Sequence, residues 1–130
     1  MSTSGHTFSR SERLKSATLI GRLFKDSQSL VAYPLRVVWI ELPAVGASEL
    51  PVPPVQVAIS VPKRHFKTAV ARNRLKRQIR EAWRLQKHLF YEKRAGKPAL
   101  ALMLMYIAKE PVSYAEIESG VAKMLRKFPS

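Results

Sequence analysis

The segment that most constrains this chain is residues 63–80, which is densely basic yet patterned as a helix. It holds eight lysines and arginines and no acid. Read as a helix from about Ala69, with roughly 100° per residue, the segment and its continuation divide into two faces. The polar face carries Asn73, Lys76, Arg77, Arg80, Arg84 and Lys87, and the opposite face carries Leu75, Ile79, Ala82, Trp83, Gln86 and Phe90. The pattern predicts a helix that packs one face into a core and presents the other, basic face to a partner with dense negative charge.

This helix is electrostatically unfavourable without a partner. Like charges three or four residues apart destabilise an isolated helix by roughly 0.2–0.5 kcal/mol per pair, and Arg72/Lys76, Lys76/Arg80 and Arg77/Arg80 have that spacing. Cations also crowd the first turns, where the helix dipole favours anions. The alternative, a solvated charged face, would interleave Glu with Lys. We therefore interpret the face as a binding surface for a polyanion.

Composition extends this argument to the whole chain. The 130 residues carry a net charge of +14, which points to nucleic acid or an anionic membrane. No apolar run reaches the ~20 residues that span a bilayer, and the N-terminus lacks the hydrophobic region of a signal peptide. The absence of cysteine excludes disulfides and thiolate chemistry and fits a reducing cytosol. We expect a cytoplasmic protein with no membrane partner.

The pattern predicts one α+β domain over residues 9–130, after a flexible tail at 1–8. The expected elements are a helix from Ser16 to about Asp26, strands at 35–42 and 55–61, the basic helix from Thr68 toward Phe90 or Arg94, a strand at 100–107, and a last helix capped by Ser113. A proline-rich loop at 43–54 joins the first two of these strands.

Catalytic groups are scarce in this sequence. The nine acids are scattered over different elements, whereas a two-metal nuclease needs convergent carboxylates. His6, His65 and His88 lack the spacing of a metal site. No Ser/His/Asp pattern and no glycine-rich phosphate loop occurs. We predict neither a catalytic residue nor a metal site in the chain itself.

Three aromatic residues admit two interpretations. Phe24, Trp39 and Tyr106 fall on a strand or an adjoining helix, where rings can stack on unpaired bases for roughly 1–3 kcal/mol each. The alternative is burial in the core, which is the commoner fate for residues placed as Trp39 and Tyr106 are. Phe24 leaves both interpretations open.

Two blocks of the sequence carry a recognisable motif. The first is Val57–Val61 with Lys63-Arg64, followed by Arg72-Asn73-Arg74, Lys76-Arg77 and Arg80-Glu81, and the second is Phe8-Ser9-Arg10, Arg13-Leu14-Lys15 and Leu23-Phe24-Lys25. Together these blocks resemble the protein component of bacterial ribonuclease P. The resemblance covers about residues 8–128. The sequence departs from many members at three positions, with Ile20 in place of an aromatic and Ser27 and Ala58 in place of glycine.

The resemblance implies an αβββαβα order with a four-stranded sheet. It also implies a left-handed βαβ crossover, the ribosomal protein S5 domain 2-like arrangement, against the right-handed norm. Because the pattern alone indicates three strands, we expect the fourth within residues 43–62.

The resemblance further implies a subunit of ribonuclease P, which assists endonucleolytic removal of the 5′ leader from precursor tRNA. Hydrolysis would belong to a catalytic RNA with its Mg²⁺, in an expected 1:1 complex without a stable protein partner and without a cofactor bound by the protein alone. The residues implied to face the catalytic RNA are Lys63, Arg64, Lys67, Arg72, Asn73, Arg74, Lys76, Arg77, Arg80 and Arg84. The implied cleft for the single-stranded leader is formed by Arg13, Lys15, Ile20, Phe24 and Trp39.

Alternatives from other classes remain at this point. A structural rRNA-binding or ribosome-assembly protein would explain the charge equally well, but not the Arg72-Asn73-Arg74 block. A double-stranded DNA binder could place the basic helix in the major groove, although the partner helix of a helix-turn-helix is missing.

Overall fold

The computed structural model describes residues 17–25, 27–42 and 55–129. Their elements are α1 (Ala17–Lys25), β1 (Gln28–Ala32), β2 (Leu35–Glu41), β3 (Val55–Ser60), α2 (Ala69–Lys93), β4 (Leu100–Tyr106) and α3 (Tyr114–Lys127). This order confirms the α+β class and the αβββαβα arrangement. The predicted tail at 1–8, the cap at Ser16, the helix end at Asp26 and the loop at 43–54 lie outside the described residues.

The four strands form one sheet in the order β1-β2-β4-β3. The central strand β4 pairs antiparallel with β2, where Leu102 faces Trp39, and parallel with β3, where Leu102 faces Val57. Residues 100–104 are all buried, as expected of a central strand covered on both sides, and the predicted strand at 100–107 is confirmed. Because β3 and β4 are parallel, α2 is the crossover between them; its handedness stays a prediction.

The fourth strand is β1, so the expectation that it lies within residues 43–62 was wrong. β1 pairs antiparallel with β2, with Ser29 opposite Val38 and Val31 opposite Arg36. It is an edge strand, and only Ala32 among its residues is fully buried. An edge strand with one buried side chain carries little of the hydrophobic alternation by which strands are recognised in a sequence, which explains why the pattern missed it.

The sheet separates two apolar clusters. The larger one lies between the sheet and the helices α2 and α3. The smaller one lies on the α1 side and includes Leu23, Val38, Ile40 and Met103. Since side chains alternate across a strand, Val38 and Ile40 point toward α1, whereas Trp39 between them points toward α3.

Local capping chemistry fixes the starts of the two long helices. The Thr68 hydroxyl accepts a hydrogen bond from the Ala71 amide at 3.2 Å, and the Ser113 hydroxyl accepts one from the Glu116 amide at 3.2 Å. Both predicted N-caps are thereby confirmed. α2 ends at Lys93 with Arg94 as its C-cap, shortly before Gly96, whose φ of +78° is a conformation that favours glycine.

Candidate nucleic-acid interface

The predicted apolar face of α2 is buried along its length. Leu75, Ile79, Trp83 and Phe90 are each exposed by 2% or less. Gln86, on the same face, donates a hydrogen bond to the Glu118 carbonyl oxygen of α3 at 3.1 Å. Packing against α3 and the sheet therefore holds the helix in place and turns its other side outward.

The outward side of α2 and the turn before it carry the predicted RNA-facing residues. Lys63, Arg64, Lys67, Asn73, Arg74 and Arg77 are exposed, while Arg72, Lys76, Arg80 and Arg84 are half-buried. We call these residues the basic surface. Only two acids, Glu81 and Glu92, occur on α2. The structure therefore brings the predicted set together, whereas contact of each residue with RNA stays a prediction.

Arg72 differs from the other cations because its side chain turns back onto the protein. Its Nη1 donates to the carbonyl oxygens of Phe66 at 2.8 Å and Lys67 at 3.0 Å. Phe66 is itself buried and packs edge-on against Tyr106, with ring centroids 5.5 Å apart. Arg72 thus ties the turn that carries Lys63, Arg64 and Lys67 to the start of the helix. A charge pattern contains no signal for this role, because it does not show where a guanidinium points.

Arg84 shares its charge with a neighbouring acid. Its Nε and Nη2 donate to the two carboxylate oxygens of Glu81 at 3.0 and 2.7 Å. These hydrogen bonds hold the pKa of Glu81 below its usual range and raise the pKa of Arg84. Glu81 therefore partly neutralises the charge that Arg84, one of the predicted RNA-facing cations, can present to RNA.

Lys87 does not belong to the outward face, so that part of the helical prediction was wrong. Only 4% of its surface is exposed, and its Nζ lies 5.7 Å from the centroid of the Tyr91 ring. The aliphatic stem of a lysine packs readily against apolar groups, and the ring supplies a cation–π contact. The basic surface therefore ends before this residue.

The leader cleft that the resemblance implies is described only in part. Arg13 and Lys15 lie outside the described residues, as does the side chain of Phe24. Ile20 is half-buried and packs against the smaller cluster on the α1 side of the sheet. This position is compatible with a cleft on that side.

The placement of Trp39 in that cleft was wrong. The residue is 5% exposed and belongs to the larger cluster, on the far side of the sheet from α1. Its ring centroid lies 4.4 Å from that of Phe128, so no base could stack on it. Tyr106 is buried too, and its hydroxyl donates to the Glu110 carbonyl oxygen at 2.6 Å and accepts from the Val112 amide at 3.0 Å. The core interpretation is confirmed for both aromatics.

Metal-binding clusters and membrane-spanning helices are both absent from the described residues. Within those ranges, no group of three or more His, Asp or Glu side chains could hold a metal ion. None of the helices described combines the length and apolar character needed to cross a bilayer.

Comparisons with known proteins agree on one family. The Ribonuclease P family model matches residues 8–129. Ribonuclease P protein components from two strains of Porphyromonas gingivalis are 37% and 36% identical over 126 residues, covering 95% of this chain and 88% of each relative. None of these matches favours the ribosomal alternative.

Solved structures of the same kind share the fold. The RNase P protein of Staphylococcus aureus superposes with a TM-score of 0.65 at 20% identity, covering 88% of this chain and 93% of that one. The RNase P protein of Thermotoga maritima superposes with a TM-score of 0.66 at 20% identity, covering 92% and 99%.

Proposed function

This chain belongs to the ribonuclease P protein family, and we propose on that premise that it binds the catalytic RNA of ribonuclease P through the basic surface and assists removal of the 5′ leader from precursor tRNA. The observation that carries the proposal is the continuity of that surface. Exposed cations of the 63–67 turn and of α2 lie on one rigid unit, because Arg72 hydrogen-bonds to the carbonyl oxygens of the turn.

The chemistry of the basic surface suits structured RNA. Arginine forms bidentate contacts with phosphate, and folded RNA is recognised largely through phosphate and 2′-hydroxyl contacts. Asn73, exposed among the cations, can both donate and accept hydrogen bonds, so it suits a base edge or a 2′-hydroxyl. The like-charge repulsion along α2 falls when phosphates approach, which favours the complex further.

The proposal assigns hydrolysis to the catalytic RNA and the Mg²⁺ ions that it holds. The residues of this chain bind and orient RNA in a cytoplasmic 1:1 complex. A leader segment would contact Arg13, Lys15, Ile20 and Phe24, and of these Ile20 packs on the α1 side of the sheet. Half-buried Ala58 and Met105 pack against the smaller cluster there, leaving apolar surface on which an unpaired base can rest.

Reconstitution tests this function. The protein is mixed with ribonuclease P RNA from the same source and with precursor tRNA, and cleavage is followed over a range of Mg²⁺ concentrations. We expect the protein to lower the Mg²⁺ needed for cleavage, because its cations offset repulsion between the two RNAs, and we expect no cleavage by the protein alone. Cleavage that is the same with and without protein at every Mg²⁺ concentration contradicts the proposal.

A charge-matched pair of variants locates the surface. Arg77→Gln with Arg80→Gln removes two cations of the basic surface, and Lys123→Gln with Arg126→Gln removes two from α3. Log affinity falls linearly with log salt, and we expect the first pair to make this negative slope less steep by roughly 0.7–0.9 for each phosphate that is no longer neutralised. The second pair should leave the slope unchanged.

A further inference from the structure

A groove runs beside the basic surface, between the first turns of α2 and the segment that leads into α3. It consists of two adjoining hollows of about 400 and 360 Å³, and Arg74 and Gln78 line both of them. Each hollow falls within the ~300–1,000 Å³ typical of small-ligand sites. The proposed function draws on the arginines at its rim but not on the groove itself.

The groove has an apolar floor at its α2 end and an aromatic ring at its α3 end. Val70, Leu75 and Val112 line one hollow, and Tyr114 lines the other. Val70 is 80% exposed. Single exposed apolar residues are ordinary, but here Val70 adjoins Pro111 and Val112 across the hollow. The floor is therefore an apolar surface that a flat ring can cover.

Three of the polar side chains around this floor lack partners among the described residues. The guanidinium groups of Arg74 and Arg77 and the amide of Gln78 make no hydrogen bond or ion pair with any described residue. Gln78 is half-buried, and its amide offers both a donor and an acceptor. Glu81 closes the far end; its carboxylate is bound to Arg84 but keeps lone pairs for further donors.

We propose that this groove binds one unpaired nucleotide of the partner RNA. The base rests on the ring of Tyr114 and the apolar floor, and its edge meets the amide of Gln78. The phosphate lies against Arg74 and Arg77. The inference rests on the proposed function, since the same two arginines belong to the basic surface that brings RNA to this place.

The mixture of groups favours a nucleotide over an acidic peptide. Guanidinium forks match phosphate geometry, aromatic side chains accept the faces of unpaired bases, and an amide reads a base edge. A peptide carboxylate would satisfy the arginines but would leave the ring and the amide unused. Because a carboxylate only accepts hydrogen bonds, Glu81 favours a base with an amino group, so adenine should bind better than uracil.

Variants in complex with ribonuclease P RNA test the base contact. Gln78→Leu and Tyr114→Leu should each weaken RNA affinity about 5-fold or more, as expected when a base loses its stacking or edge partner. The salt slope should stay the same, because no phosphate contact is removed. Tyr114→Phe keeps the ring and should retain full affinity. Gln86→Leu is the matched control: it alters a half-buried glutamine of the same helix that bonds to α3 and lies outside the groove.

Chemical shifts of the isolated protein test the ligand class. Adenosine 5′-monophosphate should shift the backbone amides of Gln78, Val112 and Tyr114 more than uridine 5′-monophosphate does. Ribose 5-phosphate and inorganic phosphate should shift the amides of Val112 and Tyr114 much less than adenosine 5′-monophosphate does, because they carry no base. Equal shifts with inorganic phosphate would show a phosphate site without a base pocket, and stronger shifts with an acidic aromatic peptide would show a peptide site; either result overturns the inference.

Failure of this inference can be told from failure of the proposed function. If wild-type protein does not bind ribonuclease P RNA, the proposed function is wrong. If wild-type protein binds this RNA, and if Gln78→Leu and Tyr114→Leu both melt as folded proteins and bind the RNA equally well, only the inference of a nucleotide pocket is wrong.

Discussion

The guanidinium of Arg72 lies 2.8 Å from the carbonyl oxygen of Phe66, so a residue of the basic helix hydrogen-bonds to the turn before it. Phe66 is anchored in the core against Tyr106. The cations of the turn and those of α2 are thereby held in one arrangement. Arg72 contributes to the basic surface as a positioning residue as well as through its charge.

Arg72→Lys separates these two contributions. The substitution keeps the charge, but the lysine side chain is one atom shorter, so its ammonium falls short of the position from which Nη1 donates to both carbonyl oxygens. We expect RNA affinity to fall about 5-fold, the effect of one net hydrogen bond, with an unchanged salt slope and faster amide hydrogen exchange in residues 63–68. Arg77→Lys is the control and should leave that exchange unchanged. A loss of affinity without faster exchange would instead indicate that Arg72 contacts RNA directly.

Two glycines form a matched pair for stability. A Cβ on Gly120 would lie 2.9 Å from Pro34 Cδ and 3.2 Å from the carbonyl oxygens of Ala32 and Tyr33. The carbonyls belong to the backbone beside α3 and have little room to move. We expect Gly120→Ala to lower the free energy of unfolding by about 1–3 kcal/mol.

Gly21→Ala should have the opposite sign. No atom lies within 4 Å of the Cβ position at this exposed site of α1, and alanine is favoured over glycine inside a helix by roughly 0.5–1 kcal/mol. Urea denaturation of both variants measures the difference. If the two substitutions change stability alike, the close approach of α3 to the β1–β2 connection is not what selects glycine at position 120.

Trp39→Leu tests the corrected position of this ring. Because Trp39 packs against Phe128 in the core, we expect the substitution to lower the free energy of unfolding by about 1–3 kcal/mol. Leader affinity of the folded complex should change less than twofold. Phe24→Leu, in the proposed cleft, should weaken leader binding instead. A selective loss of leader affinity in Trp39→Leu would restore the stacking interpretation.

Tyr106→Phe should change how stability depends on pH. Burial raises the pKa of the Tyr106 hydroxyl above its ordinary value of 10.0. The folded state then holds this proton more tightly than the unfolded state does, so the stabilisation is complete below about pH 10 and is lost as pH rises through the raised pKa. The variant should lose less stability than wild type between pH 7 and the alkaline range.

At neutral pH the same variant should be less stable. It leaves the Val112 amide without its acceptor, which costs about 1–3 kcal/mol. Tyr33→Phe, at a residue 54% exposed, is the control for stability at neutral pH and should leave it unchanged. Tyr114, whose pKa burial also raises, remains in all three proteins. Parallel pH profiles for wild type and Tyr106→Phe would contradict the assignment.

Features that depend on neighbouring residues in the sequence were predicted more accurately than features that depend on distant ones. α2, β4 and the caps at Thr68 and Ser113 were predictable because helical periodicity, a short apolar run and capping are all local signals. β1 was missed because an edge strand buries little. The sequence could not show which sheet face receives Trp39, since alternation defines two faces but not what covers each.

Side-chain direction set the limit for the candidate site. The basic block was recognised from charge and spacing, and its placement on one rigid unit follows that expectation. The contact of Arg72 with the Phe66 carbonyl and the burial of Lys87 depend on tertiary packing. That the amide of Gln78 has no partner among the described residues likewise depends on tertiary packing.

Because α2 is buried against α3 and the sheet, the stability of the free protein should depend on ionic strength. Core packing forces mutually repelling cations to stay on one helix in the free protein, so the fold holds unfavourable charge energy that dissolved ions can screen. Added salt should therefore raise the free energy of unfolding of the free protein, while it weakens the binding of RNA. Repulsion among these cations destabilises the folded free protein but favours its assembly with RNA. The free protein is therefore least stable at the low ionic strength at which RNA binds most tightly.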